Sequence, residues 1–177
     1  MMGWFCNKDG LKIMKKQAGF TLIELFIAVA ILSVLVTLVV PEMRRTLQSN
    51  QITSKTNALV RTLNYARNES IVKGSSAVLR IESISASNEW GDGWVLSLER
   101  GGVKEELRRF EFDNGILVTA NNAISEIAYS RGQVNLPSPL LLTICHTDSQ
   151  SNLAGRRIEV EYTGRVSLRD RHFDCNS

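Results

Sequence analysis

The chain has 177 residues, 44% of them hydrophobic and 22% charged, enough for one domain with a real core and too short for two comfortable ones. Its formal charge of +3, from 21 basic and 18 acidic side chains, comes from residues 1–19, where Lys8, Lys12, Lys15 and Lys16 outweigh Asp9; beyond Gly19 the two signs balance at 17 each. That balance removes bulk charge as support for nucleic-acid binding. Of the three cysteines, Cys6 precedes Gly19, leaving Cys145 and Cys175 as an even pair. In an exported domain such a pair is most simply a disulfide, and it implies an oxidising compartment.

The first predicted element is Phe20 to Val40, FTLIELFIAVAILSVLVTLVV, which is 21 residues with one charge, Glu24. As a helix rising about 1.5 Å per residue it is long enough to cross a bilayer core of about 30 Å. A secretory signal peptide has an apolar run of about 7–15 residues followed by a small-residue cleavage site. Here Ala18 and Gly19 come before the run, so a cut there retains the helix as an anchor. Lys12, Lys15 and Lys16 precede the helix while Arg44 and Arg45 follow it, and the positive-inside rule leans toward a cytoplasmic amino terminus. A carboxylate inside such a run costs about 2 to 3 kcal/mol at mid-membrane and less near an end. Glu24 therefore calls for a partner, or else sits near the interface in a first turn where the helix dipole favours negative charge.

Lys15-Lys16-Gln17-Ala18-Gly19 followed by Phe20-Thr21-Leu22-Ile23-Glu24-Leu25 resembles the processing site of type IV pilins, minor pilins and type II secretion pseudopilins. The resemblance implies that a prepilin peptidase cleaves after Gly19 and methylates the new amine of Phe20. It also implies that Glu24 pairs with the amino terminus of a neighbouring subunit during assembly. Met14 gives a short leader of the usual kind, which makes Met1 to Ile13 either an extended leader or a start-codon artefact. Pro41 falls where these proteins commonly carry a helix-bending proline, and a proline inside a helix removes a donor and clashes with the preceding turn.

From Glu42 to about Lys73 there is no Pro or Gly, and Ile52, Thr56, Leu59, Leu63, Ala66 and Ser70 recur at helical spacing. Arg44, Arg45, Lys55, Arg61, Arg67 and Glu69 fall largely off that stripe, so an amphipathic helix is expected, with Gly74 as its stop. Near Gly74 the stripe is expected to lie on the protein's own sheet; nearer the membrane it faces neighbouring subunits. Strands are expected at Ala77 to Ile81, Trp94 to Glu99, Val103 to Phe112, Gly115 to Thr119 and Ile124 to Tyr129. Three more follow at Leu140 to Cys145, Arg156 to Tyr162 and Val166 to Leu168. Arg100-Gly101-Gly102 marks a hairpin tip, Pro137 and Pro139 bound the segment before Leu140, and Asn88 to Gly93 is a loop flanked by Trp90 and Trp94.

In order and spacing the chain is further similar to the GspH/FimT class of pilin-like proteins. The similar pieces are the helix ending Ala58 to Ser70, Trp90-Gly91-Asp92-Gly93-Trp94, the Ile127 to Gly132 turn, Leu142 to Cys145, and Gly164-Arg165-Val166 ahead of Cys175. Two chemical alternatives bear on the cysteines. Cys145, His146, His172 and Cys175 are all zinc-ligand types, but neighbours on a strand point to opposite faces. A Cys–His nucleophile built with His172 and Asp174 lacks any oxyanion device in the sequence.

Arg156, Arg157, Arg165, Arg169, Arg171 and His172 could form a phosphate-neutralising patch, as an Arg-bearing loop does in some FimT-like proteins that capture DNA. Glu159, Glu161, Asp170 and Asp174 are interleaved with them, and Ser167 stands where a second arginine is expected. A solvated mixed-charge surface is the competing reading.

The expected fold is α+β and pilin-like: a leader over 1–19, a transmembrane and assembly helix over 20–40, its amphipathic continuation over 41–74, and a β-rich head over 75–177 packed on that helix. The expected function is a minor pilin or pseudopilin that assembles or primes a type IV pilus-like filament. The alternatives are a DNA-binding FimT-like minor pilin, with Arg165, Arg169 and Arg171 as contacts, and a type II secretion pseudopilin. No enzyme activity, cofactor or metal is expected. The expected partners are prepilin peptidase, other pilin or pseudopilin subunits, the bacterial inner membrane and, on the second reading, DNA. Its head would lie in the periplasm before assembly.

Overall fold

A computed structural model describes residues 20–85, 89–112, 115–136, 138–147 and 153–175. The leader with Gly19, the loop residue Asn88 and Pro137 lie outside the described residues, as does the side chain of Pro41 at the expected bend. One helix, α1, covers Leu22–Lys73, 52 residues, and is shared by two units that divide between Val40 and Pro41.

In the first unit, Thr21 caps the helix. Its Oγ1 accepts from the Glu24 N–H at 3.3 Å and its carbonyl accepts from the Leu25 N–H at 3.2 Å. Thr21-Leu22-Ile23-Glu24 has the spacing of a capping box. Farther along, Ser33 Oγ donates to the Ala30 carbonyl and Thr37 Oγ1 to the Val34 carbonyl, both at 2.7 Å. Both hydroxyls are thereby satisfied by the helix itself, as a non-aqueous surround requires.

In the second unit the helix acquires a buried face. Ile52, Thr56, Leu59, Leu63, Ala66 and Ser70 are each no more than 1% exposed, the stripe that the 3.6-residue period predicts. Lys55 departs from expectation: it is buried too, one turn from Ile52 and Leu59. Its Nζ donates to the Gly91 carbonyl at 3.0 Å and lies 4.6 Å from the Phe112 ring centroid, so the stem packs while the ammonium keeps polar and aromatic company. Gly74 ends the helix with φ +66°, a left-handed conformation suited to glycine.

All strand pairings are antiparallel. The first sheet contains β1 (Val78–Ser83), β2 (Gly93–Arg100), β3 (Val103–Glu111), β5 (Glu126–Ser130) and β6 (Gln133–Val134), in the order β3-β2-β1-β5-β6. The second contains β4 (Ile116–Ala120), β7 (Leu140–His146), β8 (Ala154–Val160) and β9 (Val166–Asp174), in the order β4-β7-β8-β9. Register puts Ile81 opposite both Leu96 and Ile127, and all three side chains are buried. The β2–β3 hairpin turns on Gly101 and Gly102, both with positive φ, as a tight two-residue loop needs.

One core joins the three layers: Leu59 and Leu63 from α1, Leu79, Trp94 and Ile127 from the first sheet, Leu142, Ile144 and Ile158 from the second. The indoles are both satisfied. Trp90 Nε1 donates to the Ile124 carbonyl at 3.0 Å and Trp94 Nε1 to Thr62 Oγ1 at 3.2 Å, so their large apolar area is buried without an orphaned donor.

Most expected strands shift by one or two residues at their ends, β8 for example covering Ala154–Val160 rather than Arg156 to Tyr162, and two differ more. β9 runs to Asp174 instead of ending at Leu168, and β6 was not expected at all. Residues 169–172, Arg-Asp-Arg-His, carry no apolar alternation, so the ladder with β8 rather than burial holds them. Near its end, Cys145 and Cys175 are bonded, with S–S 2.00 Å and Cα–Cα 5.9 Å. The bridge links β7 to the end of β9 across β8, which lies between them. A Cβ at Gly155 of β8 would come 2.4 Å from Cys175 Sγ and 2.9 Å from Cys145 Sγ, so the crossing requires glycine there.

Candidate assembly and binding surfaces

Among the described residues the amino-terminal unit presents an apolar surface. Side chains from Phe20 to Val40 are exposed wherever they are described, among them Leu22 at 76% and Phe26 at 70%. An 18-residue window of this helix has a mean hydropathy of 2.8, and the helix is long and apolar enough to cross a membrane by length and composition. Glu24 stands in its first turn. The cap uses only its backbone N–H, and among the described residues its carboxylate has no ion-pair partner. Phe20 is 86% exposed, and Gly19, the other half of the expected cleavage site, lies outside the described residues.

A second surface forms where three turns meet. The β8–β9 turn closes with Gly164 N–H donating to the Glu161 carbonyl at 2.8 Å and Glu161 N–H to the Arg165 carbonyl at 2.9 Å. A Cβ on Gly164 would sit 2.1 Å from the Gly132 carbonyl oxygen, so this turn is pressed against the β5–β6 turn at a distance only glycine permits. The helix end joins them: Ser70 Oγ accepts from Gly132 N–H at 2.9 Å and Arg67 Nε donates to the Gly132 carbonyl at 3.3 Å. Arg131, with φ +51°, and Arg165 are both exposed on these adjoining turns. By sequence Arg131 falls only in a turn, and no local signal announces that this turn abuts Gly164.

The candidate DNA contacts do not act alike. Arg169 pairs with Glu159 at 3.2 Å. Arg165 and Arg171 are exposed and have no carboxylate partner among the described residues. Nearby, Arg157 pairs with Asp170 at 3.5 Å and stacks 3.7 Å from the Phe173 ring centroid. The outward face of the first sheet is more completely neutralised. Arg80 bridges Glu99 and Glu126, and Lys104 reaches Glu82. The hydrogen bond that Arg80 donates to the Glu99 carboxylate, ahead of the opposing desolvation, holds the Arg80 guanidinium above its ordinary pKa. Arg109 likewise keeps the Glu106 carboxyl below the usual carboxylate range through a direct hydrogen bond.

With both thiols bonded to each other, neither is free to bind zinc or act as a nucleophile. Among the described residues no three His, Cys, Asp or Glu side chains are grouped to hold a metal. What the arrangement offers is recognition surface: an uncovered apolar helix with one carboxylate, and turns carrying exposed arginines.

Residues 14–40 match the prokaryotic N-terminal methylation motif, and residues 55–164 match the family described as type II transport protein GspH. No match was found among curated proteins. Among solved structures the fold is similar to the type IV minor pilin FimU of Pseudomonas aeruginosa (strain PAO1) in two crystal forms. The form in space group P21 has a TM-score of 0.57 at 21% identity, covering 68% of this chain and 90% of that one. The form in P65 has 0.53 at 20%, covering 68% and 92%.

Proposed function

The chain belongs to the type II transport protein GspH family and is a subunit of the minor-pilin or pseudopilin kind, and from that premise we propose that it is cut between Gly19 and Phe20, methylated, and built into a type IV pilus-like filament. The observation that carries the reading is the exposed apolar stretch from Phe20 to Val40 with its single carboxylate, Glu24, which has no ion-pair partner among the described residues. An apolar helix supplied with an internal cap and internally bonded hydroxyls suits lipid first and a bundle of like helices later. Glu24 then receives the methylated amine of a neighbour, which removes the cost of a lone charge in an apolar surround. The chain is held in the bacterial inner membrane by this single pass, with the head in the periplasm, until prepilin peptidase and the other subunits act on it. The reading assigns it no catalysis.

Glu24→Ala tests this. The variant should be membrane-inserted and processed, with an intact head, yet scarce in sheared filaments from cells that incorporate the wild-type chain; normal incorporation would remove Glu24 from assembly.

Arg165 and Arg171, exposed and without carboxylate partners among the described residues, favour a second reading in which the head captures DNA. The ion pair of Arg169 with Glu159 subtracts from it. Titration of the full chain in detergent with duplex DNA at two salt concentrations decides it, since affinity falls with a slope of about −0.9 per phosphate neutralised. Tight, salt-sensitive binding abolished by Arg165→Gln with Arg171→Gln would establish DNA capture.

A further inference from the structure

A groove of about 500 Å³ runs between α1 and the open edge of the first sheet. Its helix side presents Arg61 and Tyr65, its strand side Leu107, Arg108 and Phe110. The floor is Leu96 and Thr62. The Thr62 hydroxyl is engaged, donating to the Ala58 carbonyl at 2.9 Å and accepting from Trp94 at 3.2 Å, so the floor behaves as apolar. Tyr65 is 50% exposed and Leu107 38% exposed.

Charge singles the groove out. On the opposite face of the same sheet Arg80, Lys104 and Arg109 each have a carboxylate. Arg61 and Arg108, which flank the groove, have none among the described residues. Arg108 instead lies 5.1 Å from the Phe110 ring centroid, held against the groove wall by the aromatic face.

The occupant can be narrowed by chemistry. Strand addition is disfavoured, because β3 is charged along its length and the register shift between Leu96 and Ser97 leaves Leu107 as the extra residue of a bulge; both devices block edge pairing. A polyanion is disfavoured as well: two arginines make no track for successive phosphates, and Glu105, Glu106 and Glu111 share the strand. What fits is one or two carboxylates flanked by apolar side chains.

We propose that this groove is a docking site for an acidic, apolar segment on the head of a neighbouring filament subunit. The proposal rests on the reading of the chain as a filament subunit. Arg61 and Arg108 would take the partner's carboxylates, while Tyr65, Leu107 and Phe110 cover its apolar side chains, the arrangement of a charged anchor inside a water-excluding rim.

The test uses the full chain in cells that assemble the filament, with Leu107 replaced by a photo-crosslinking phenylalanine analogue and the same analogue at Leu168 as a control. Sheared filaments are illuminated and the crosslinked residue is mapped. The expected result is a crosslink from position 107, and not from 168, to a subunit segment containing Asp or Glu beside apolar residues. Its yield should fall about tenfold or more in the Arg61→Gln, Arg108→Gln background, and also in Tyr65→Ala. Unchanged head melting temperature and an intact Cys145–Cys175 bond separate lost docking from lost folding. A crosslink to DNA or lipid, one to a segment without an acid, an unchanged yield in both variants, or no crosslink from a chain that is present in filaments would each overturn the groove while leaving the filament reading intact. Absence of the wild-type chain from filaments would instead overturn the filament reading and the groove with it.

Discussion

The two halves of α1 are both rich in large apolar side chains and meet opposite fates. Leu59 and Leu63 are at most 1% exposed, whereas Leu32 and Leu35, nearer the amino terminus, are 60% and 53% exposed. Local propensity does not distinguish them, since leucine favours helix in both places. The difference is what lies alongside. The carboxyl-terminal half has two sheets to cover one face and keeps Arg61 and Asn68 outside, while the large apolar side chains of the other half are exposed wherever they are described. An all-round apolar helix is stable only where something else supplies the surround.

The comparison breaks most visibly by truncating one leucine from each half. Leu63→Ala should lower the unfolding free energy of the detergent-solubilised chain by about 2–5 kcal/mol, because it empties a core site. Leu32→Ala should change it by less than about 0.5 kcal/mol, since it removes nothing from the head. Denaturant unfolding followed by tryptophan fluorescence reads both, Trp90 and Trp94 being fully buried in that core. Equal losses would mean that the apolar half also packs on the head.

Next in size is the bridge that pins β9. Gly155→Ala places a methyl where the Cys175 sulfur and the Ile144 carbonyl already stand, at 2.4 and 2.8 Å. It should cost about as much as removing the disulfide, roughly 2–4 kcal/mol, and non-reducing peptide mapping should find less of the Cys145–Cys175 link. An unaltered link with unaltered stability would show that β8 can step aside.

The smallest effect at neutral pH sharpens the picture of the junction between helix end and sheet. Tyr129 is fully buried, its hydroxyl finds no hydrogen-bond partner among the described residues, and burial pushes the phenol well above its usual pKa despite the opposing charge of Arg67. The folded state therefore holds this proton more tightly than the unfolded chain. Its contribution is fully present below the unfolded value of about 10 and is lost as pH rises from there toward the folded pKa. Tyr129→Phe should be neutral or slightly stabilising at pH 7 and should flatten the alkaline fall in melting temperature; a parallel fall in both proteins would place the titrating group elsewhere.

How much of this was legible beforehand depended on whether periodicity and burial coincide. Ile52, Leu59, Leu63 and Ala66 repeat at helical spacing and face one core, and Gly101-Gly102 names its own turn. The charge of Lys55 argues for solvent, and the Gly91 carbonyl and the Phe112 ring that receive it in its buried position lie far off in sequence. β6 is two residues long and the far part of β9 is charged on both faces, so neither leaves a pattern. The contact of Gly164 with Gly132 and the groove between Arg61 and Arg108 are meetings of distant segments. A single sequence records each residue of such a pair and not the pairing.

The central claim is that Phe20 to Val40 is retained as an anchor and assembly helix after a cut that precedes it. Intact-mass and amino-terminal analysis of the membrane-extracted chain tests this most directly. The account predicts one species beginning at Phe20 with a methylated amine; a mature chain beginning at Met1 or Met14, or a soluble one lacking Phe20 to Val40, would contradict it.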